Sequence, residues 1–358
     1  MKQVAIEKLC LQDFRIHKTF TCDIVSDDII LIGDNGSGKT SILEAISLLS
    51  PGKGMLSANP INLNYNKCEK SIITATITDS VIITVENKIA KTNNKTIKIN
   101  DKAITKQTEL ANWCDIIWFT ADTQYTFLLS SANRRKFVDR MVFGFFHSHA
   151  SALSNYDNLI KERMKILLLD GNNQKWLDAI EKQIAKLGAE ISYHRASIIQ
   201  MFNEETIENK LLHVSLSTDG VLENFGLNGY YVEQITETFS ELLKNNRIKD
   251  RDSGRTNIGT HRTDFDIVLG ADSLQMVSSG KQKMFLLSIF ELFARLLAKK
   301  NQRTPIILFD EISSFVDQNN FDKILSSFTQ NHSQIWMASP RKYDLFKNYN
   351  VHFIELNN

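Results

Sequence analysis

The chain has 358 residues, 42% hydrophobic and 23% charged, which is enough apolar material for one large domain or about two ordinary ones. Forty-two Lys and Arg against 41 Asp and Glu leave a net charge of +1, so no global field draws in a polyanion and any nucleic-acid surface must be a local patch. Cys10, Cys22, Cys68 and Cys114 form no CxxC and have no His at ligand spacing, which excludes a zinc framework and suits four reduced thiols in a reducing compartment.

The opening MKQVAIEKLCLQDF carries Glu7 and Asp13 and lacks the apolar stretch of a signal peptide. VAIEKLCLQDF alternates apolar and polar residues, and DDIILIG is a short apolar run ending at Gly33; both read as strands. KSIITATIT, SVIITVENKI and KTIKIND continue as an antiparallel meander, interrupted by one helix that begins near Lys39. From Ser131 to about Asn209 strand alternation stops. RRKFVDRMVFGFF, YDNLIKERMKILLL and QKWLDAIEKQIAKLGAEISYHRASIIQMF space their apolar residues by three and four, as helices do. LLHVSLST is a candidate strand, GYYVEQITETFSELLKNN is helical again, and the polar stretch NNRIKDRDSGRTNIG closes the region. A long helix from about Gly280 to Lys299 leads to the strand TPIILFDEI, a further helix, the strand SQIWMAS and a last strand, VHFIEL. MFLLSIFELFARLLA carries Glu291 and Arg295 and is too short to span a bilayer, so it reads as a buried helix of a soluble, cytosolic protein.

Three motifs carry chemistry. Gly33-Asp34-Asn35-Gly36-Ser37-Gly38-Lys39-Thr40 fits G-x-x-x-x-G-K-[ST], between a strand and a helix that continues through Ser41. Its glycines let backbone N–H groups point at phosphate oxygens, Lys39 reaches the terminal phosphates, and the Thr40 hydroxyl is a Mg²⁺ ligand. IILFDE ends a buried strand in two carboxylates: Asp310 to hold Mg²⁺, directly or through water, and Glu311 as the group that polarises water. VSSGKQK places Ser279-Gly280 just before the long helix, a second anion-binding helix start. One cradle already serves one triphosphate, so this second start points to the nucleotide of another subunit. The basic stretches RRKFVDR, with Arg134, Arg135 and Lys136, and KNNRIKDRDSGRTNIGTHR are nucleic-acid candidates, with solvated helix faces and a polar loop as the bland reading. His149, His194 and His213 have no metal-like spacing and read as structural or surface residues.

P-loop, SSGKQK, FDE and the segment Ser314-Phe315-Val316-Asp317 together resemble the ATPase heads of the ABC and SMC class, and within it the RecF family of DNA replication and repair proteins. LQDFRIHKTF is similar to that family's N-terminal strand-turn, ADTQYTFLLSSANRRKFVDR to the segment leading to paired arginines and an Asp (Arg134, Arg135, Asp139), and GTHRTDF to its G-P-H-R-D-D stretch. The sequence departs from the family at Thr260 in place of Pro, Thr263 in place of Asp, Thr120-Ala121-Asp122 in place of a Pro before an acid, Glu311 in place of a second Asp, and Phe315 in place of an acid. No histidine follows QIWMAS, which weighs against fast hydrolysis but not against nucleotide binding.

The resemblance implies an α/β fold, a P-loop ABC-type ATPase head with an inserted, mainly α-helical arm. Residues 1–125 (P-loop) and 256–358 (signature and Walker B) would form the head, and residues 126–255 the insertion. It also implies ATP and Mg²⁺ as cofactors, an ATP-dependent homodimer completed across subunits by Ser279, Gly280 and Asp317, and slow DNA-stimulated hydrolysis. The partners it implies are single-stranded, gapped or junction DNA and mediators of the RecO and RecR type, with roles in recombinational repair and the SOS response. A transporter ATPase subunit would share the head but not the long helical insertion or the paired arginines. An ATP-gated scaffold without hydrolysis is the other alternative, against which Glu311 argues mildly.

Overall fold

The structure is a computed structural model that describes residues 1–88, 94–120, 123, 129–169, 174–208, 214–269, 272–310, 333–340 and 351–356. In chain order its elements begin with β1 (Ile6–Phe14), β2 (His17–Asp23), β3 (Asp28–Ile32), α1 (Lys39–Ser47), β4 (Lys70–Ile77), β5 (Val81–Lys88), β6 (Asn94–Ile99), β7 (Lys102–Ala103) and β8 (Ile116–Phe119). Next come α2 (Ser131–Phe145), α3 (His149–Leu169), α4 (Gln174–Glu208), β9 (Val214–Thr218), α5 (Val221–Leu227), α6 (Val232–Asn245), α7 (Arg247–Ser253), β10 (Phe265–Leu269) and β11 (Asp272–Ser273). The last are α8 (Ser279–Asn301), β12 (Ile306–Phe309), β13 (Ile335–Ser339) and β14 (Val351–Glu355). Among the described residues no helix is long and apolar enough to cross a membrane.

Two units divide the chain: Met1–Thr123 with Lys283–Asn358, and Gln124–Gln282. The first unit holds two sheets. The alternating sequences form an antiparallel sheet in the order β2-β1-β4-β5-β6-β7. Period-two patterning buries one face, with Ile73, Ala75 and Ile77 of β4 opposite Val85, Ile83 and Val81 of β5. The continuous apolar runs instead form a parallel sheet, β14-β3-β13-β12-β8, as expected for strands buried on both faces. Ile29 and Leu31 of β3, Ile42 and Ile46 of α1, Leu308 and Trp336 join the inward face of the first sheet in one core. The parallel order brings β3, which leads into the P-loop, and β12, which carries Asp310, to either side of β13.

In the second unit α3, α4 and α6 pack round Tyr156, Ile184, Ala185, Ile235, Phe239 and Leu243. A Cβ on Gly188 of α4 would lie 2.5 Å from the Phe239 ring, so a glycine is what lets α6 approach. Two expectations change here. Residues 256–282, read as part of the head, belong to this unit, because β10 pairs antiparallel with β9 from Phe265↔Thr218 to Leu269↔Val214. The polar stretch, whose bland reading is solvated side chains, contains the helix α7, and its Asp250 is fully buried. The cause is Arg163 of α3, also fully buried, whose Nη1 donates to Asp250 Oδ2 at 2.7 Å. A buried guanidinium requires anionic partners, and composition does not distinguish such a partner from a solvated acid.

Candidate functional site

The P-loop turns where its glycines permit it. Gly36 and Gly38 have φ of 92° and 95°, in the left-handed region that side chains avoid. A Cβ on Gly33 would lie 2.5 Å from Ser37 Oγ and 2.6 Å from the Leu356 carbonyl oxygen. Asp34, Asn35 and Gly36 face solvent; Ser37, Gly38 and Lys39 are buried; Thr40 and Ser41 are half-buried. The Ser37 N–H donates to the Asp34 carbonyl at 3.1 Å. Lys39 folds back so that Nζ donates to the carbonyls of Gly33 at 2.5 Å and Asp34 at 2.8 Å.

Two observations fit a triphosphate with a divalent cation. The Ser37 hydroxyl is buried with no hydrogen-bond partner, the kind of group a phosphate oxygen satisfies. The Thr40 hydroxyl donates to Asp310 Oδ1 at 3.1 Å and lies 3.3 Å from Oδ2, joining residues 270 apart in sequence. Asp310 is fixed in turn by its N–H, which donates to the Phe119 carbonyl at 3.0 Å. One hydroxyl and one carboxylate, all hard oxygen, suit Mg²⁺, which commonly takes one or two protein carboxylates together with substrate phosphates. Among the described residues there is no cluster of three or more His, Cys, Asp or Glu that would compete for a metal.

The β1–β2 hairpin contributes contacts that motif reading did not anticipate. Arg15 makes a bidentate pair with Glu44 of α1, Nε to Oε2 at 2.5 Å and Nη2 to Oε1 at 2.7 Å, and Glu44 is fully buried. His17 Nε2 lies 3.2 Å from the Gly38 carbonyl. The tip of the hairpin is thereby tied to both the loop and the helix of the cradle. An acid in the middle of the apolar ILEAI run was the available signal.

α8 begins at Ser279, as SSGKQK predicts. Gly280 is exposed, and a Cβ there would meet nothing within 4 Å. The Gln282 amide nitrogen of the side chain anchors the start of the helix by donating to the Leu274 carbonyl at 3.1 Å. Glu311, Phe315 and Asp317 lie outside the described residues.

The paired arginines are half-buried, and both make hydrogen bonds within the protein. Arg134 makes a bidentate pair with Asp264, with both bonds at 2.7 Å. Hydrogen bonding to Arg134 holds the Asp264 carboxyl below its usual range, and the same bond raises Arg134. Arg135 Nη1 donates to the Thr263 carbonyl at 2.8 Å, and burial, then the nearby Arg195 charge, lower its affinity for its proton. Lys136 is exposed. Asp139 accepts Arg195 Nε and Nη2 at 2.7 and 2.9 Å and lies 2.9 Å from His149 Nε2. Burial pushes the Asp139 carboxyl up, but Arg195 and His149 outweigh it and the net shift is downward. His149 is fully buried and its Nδ1 lies 3.4 Å from that of His194, so both have the structural place expected of them; His213 lies outside the described residues.

Fold and site together define a P-loop ATPase head of the ABC type with a mainly helical insertion. A family model described as the RecF/RecN/SMC N terminal domain matches residues 5–353. The chain is 30% identical over 344 residues to the DNA replication and repair protein RecF of Rickettsia felis, covering 95% of this chain and 94% of that one. It is likewise 30% identical over 343 residues to the RecF of Rickettsia akari, covering 94% and 95%. Two solved structures share the fold. One is the recombination mediator protein RecF-ATPrS in the RecFOR pathway, with TM-score 0.85, 19% identity and 96% and 94% of the two chains covered. The other is the same mediator as RecF-ATP, with TM-score 0.79, 20% identity and 96% of each chain covered. The chain belongs to the RecF family.

Proposed function

We propose that this protein is an ATP-dependent DNA-binding protein of recombinational repair and replication-fork maintenance. In this reading it acts in the cytoplasm as an ATP-held homodimer that assists recombinase loading with RecO- and RecR-type mediators and supports the SOS response. The observation that carries the nucleotide reading is the cradle itself: a buried, unpartnered Ser37 hydroxyl beside Lys39 and a Thr40–Asp310 pair that joins α1 to the end of β12. The DNA and mediator reading is supported by relatives named DNA replication and repair protein RecF and by structures described as a mediator of the RecFOR pathway.

In this reading Gly33 to Gly38 present backbone N–H groups to the phosphates and Ser41 sits in the first turn behind them. Lys39 leaves its two carbonyls for the terminal phosphates. Thr40 and Asp310 hold Mg²⁺, which when bound neutralises charge on the phosphate oxygens. Glu311 orients the attacking water. Ser279, Gly280 and Asp317 of one subunit complete the site of the other, so hydrolysis is slow, DNA-stimulated and confined to the dimer.

The test uses two variants and their mixture. Lys39→Ala is expected to lose ATP binding. Ser279→Arg keeps ATP binding but fails to dimerise on sizing with ATP and Mg²⁺, and does not hydrolyse. Mixed, they form dimers with one site that has an intact cradle and an intact Ser279, so partial hydrolysis returns. Full turnover by monomeric Ser279→Arg would end the shared-site reading, and wild-type ATP affinity in Lys39→Ala would end the P-loop assignment.

A further inference from the structure

The segment Lys244–Arg262 contains six Lys and Arg (Lys244, Arg247, Lys249, Arg251, Arg255, Arg262) and two acids (Asp250, Asp252). The fold removes one of the cations and one of the acids from the surface. Arg247 donates to Glu181 Oε2 at 2.5 Å and also pairs with Asp178. Asp250 is fully buried, where it accepts from Arg163 and from the Asn257 backbone N–H at 2.9 Å. Five exposed cations remain against one exposed acid, Asp252, whose contact with Arg251 is long at 3.7 Å and solvated on both sides.

This surface is held rather than loose. Arg163 Nη1 also donates to Thr256 Oγ1 at 3.0 Å and Nη2 to the Leu243 carbonyl at 2.9 Å. The Thr256 carbonyl accepts from Arg262 Nε at 3.0 Å and lies 3.0 Å from His261 Nε2. The loop after α7 is therefore pinned at its acid, hydroxyl and carbonyl groups, which leaves the ends of Arg255 and Arg262 to project. Beside it opens a cavity of about 100 Å³ lined by Asp219, Asn257, Arg262 and Thr263 over Val221 and Ile258.

We propose that α7 and the loop after it bind the sugar–phosphate backbone of a nucleic acid, through Lys249, Arg251, Arg255 and Arg262. This rests on the reading that the chain binds DNA, and it assigns that binding to the second unit. The seven residues of α7 span about 10 Å, the axial rise of about three nucleotides of one duplex strand. Guanidinium groups suit phosphate by their bidentate geometry. Ile248 is the one large exposed apolar side chain of the segment, too little for the apolar centre of a protein interface.

The experiment measures binding of the full chain, with ATP and Mg²⁺, to a labelled DNA duplex across a salt series. Two variants are used: Lys249→Gln/Arg251→Gln/Arg255→Gln, confined to solvated side chains, and the same with Arg262→Gln. The log–log salt slope is expected to shrink by about 0.9 for each phosphate contact removed, up to about 2.7 for the triple and about 3.6 for the quadruple variant. ATP binding stays at the wild-type level, and Lys161→Gln/Lys165→Gln on α3 leaves the slope unchanged. Wild-type slopes in both variants overturn the proposal while the DNA reading stands. Loss of polyglutamate binding at an unchanged DNA slope overturns it too and assigns the patch to an acidic protein. No DNA binding by the wild-type chain would end both.

Discussion

Thr263 stands where the RecF family usually has Asp, and its surroundings account for the exchange. Its hydroxyl donates to Glu223 Oε2 at 2.8 Å, and both residues are buried. The other Glu223 oxygen accepts Arg195 Nη1 at 2.8 Å. Thr263→Asp would turn that donor into a second anion. Two like charges about 4 Å apart repel by about 4 kcal/mol at an effective dielectric of about 20. Arg195 offers little relief, since Asp139 and the Thr260 carbonyl already share its guanidinium. One carboxyl of the pair therefore takes up a proton above its usual range. A raised folded pKa means that the folded state binds more protons, so the deficit is full at pH 7.5 and shrinks as pH falls towards 5. We expect a loss of about 3–4 kcal/mol in urea unfolding at pH 7.5. Glu223→Gln removes the repulsion, so the double variant should recover at least about 2 kcal/mol as coupling energy. A deficit below about 1 kcal/mol, or a coupling energy near zero, would refute the argument.

Two further outcomes follow from buried charge. Burial holds the Lys95 ammonium down to about 8, and below that pH it is charged in both folded and unfolded chains, so the full cost of burial applies at pH 7. Lys95→Met should therefore raise stability at pH 7 by about 2–3 kcal/mol, and the gain should fade between pH 8 and 10.5; an equal gain at both ends, read from Tm differences, would contradict the burial account. Arg163→Met leaves Asp250 and Glu181 buried without their shared guanidinium and should lose about 3–5 kcal/mol in urea unfolding, with ATP binding intact in chains that remain folded; a loss under 1 kcal/mol would mean water or rearrangement satisfies both acids.

The cradle was legible because phosphate binding is built from backbone geometry over eight consecutive residues, Gly33 to Thr40, and glycines at positive φ leave their mark in the sequence itself. The strands were legible where burial on one face enforces alternation, as in β4 and β5. β10 was missed because DFDIVL is too short and too mixed to show a period, and its partner β9 lies 47 residues or more away. Arg15–Glu44 and Thr40–Asp310 depend on tertiary approach, and no spacing rule reports them.

The arginines show the same limit from the other side. A run such as RRK or NNRIKDR is equally compatible with solvated cations and with cations consumed by distant acids. Asp264, 130 residues along, takes Arg134; Glu181, 66 residues back, takes Arg247; Asp250 takes Arg163 across 87 residues. What reaches solvent is the excess left after these pairings, and only the fold fixes them. In the second unit the buried acids Glu181, Glu223 and Asp250 are matched by Arg163, Arg195 and Arg247, while Lys249, Arg251, Arg255 and Arg262 stay exposed. A near-neutral chain can therefore present a local excess of exposed cations, because acids such as Glu181 and Asp250 are buried against other arginines. That makes a DNA contact at α7 compatible with a net charge of +1, which composition alone would have counted against it.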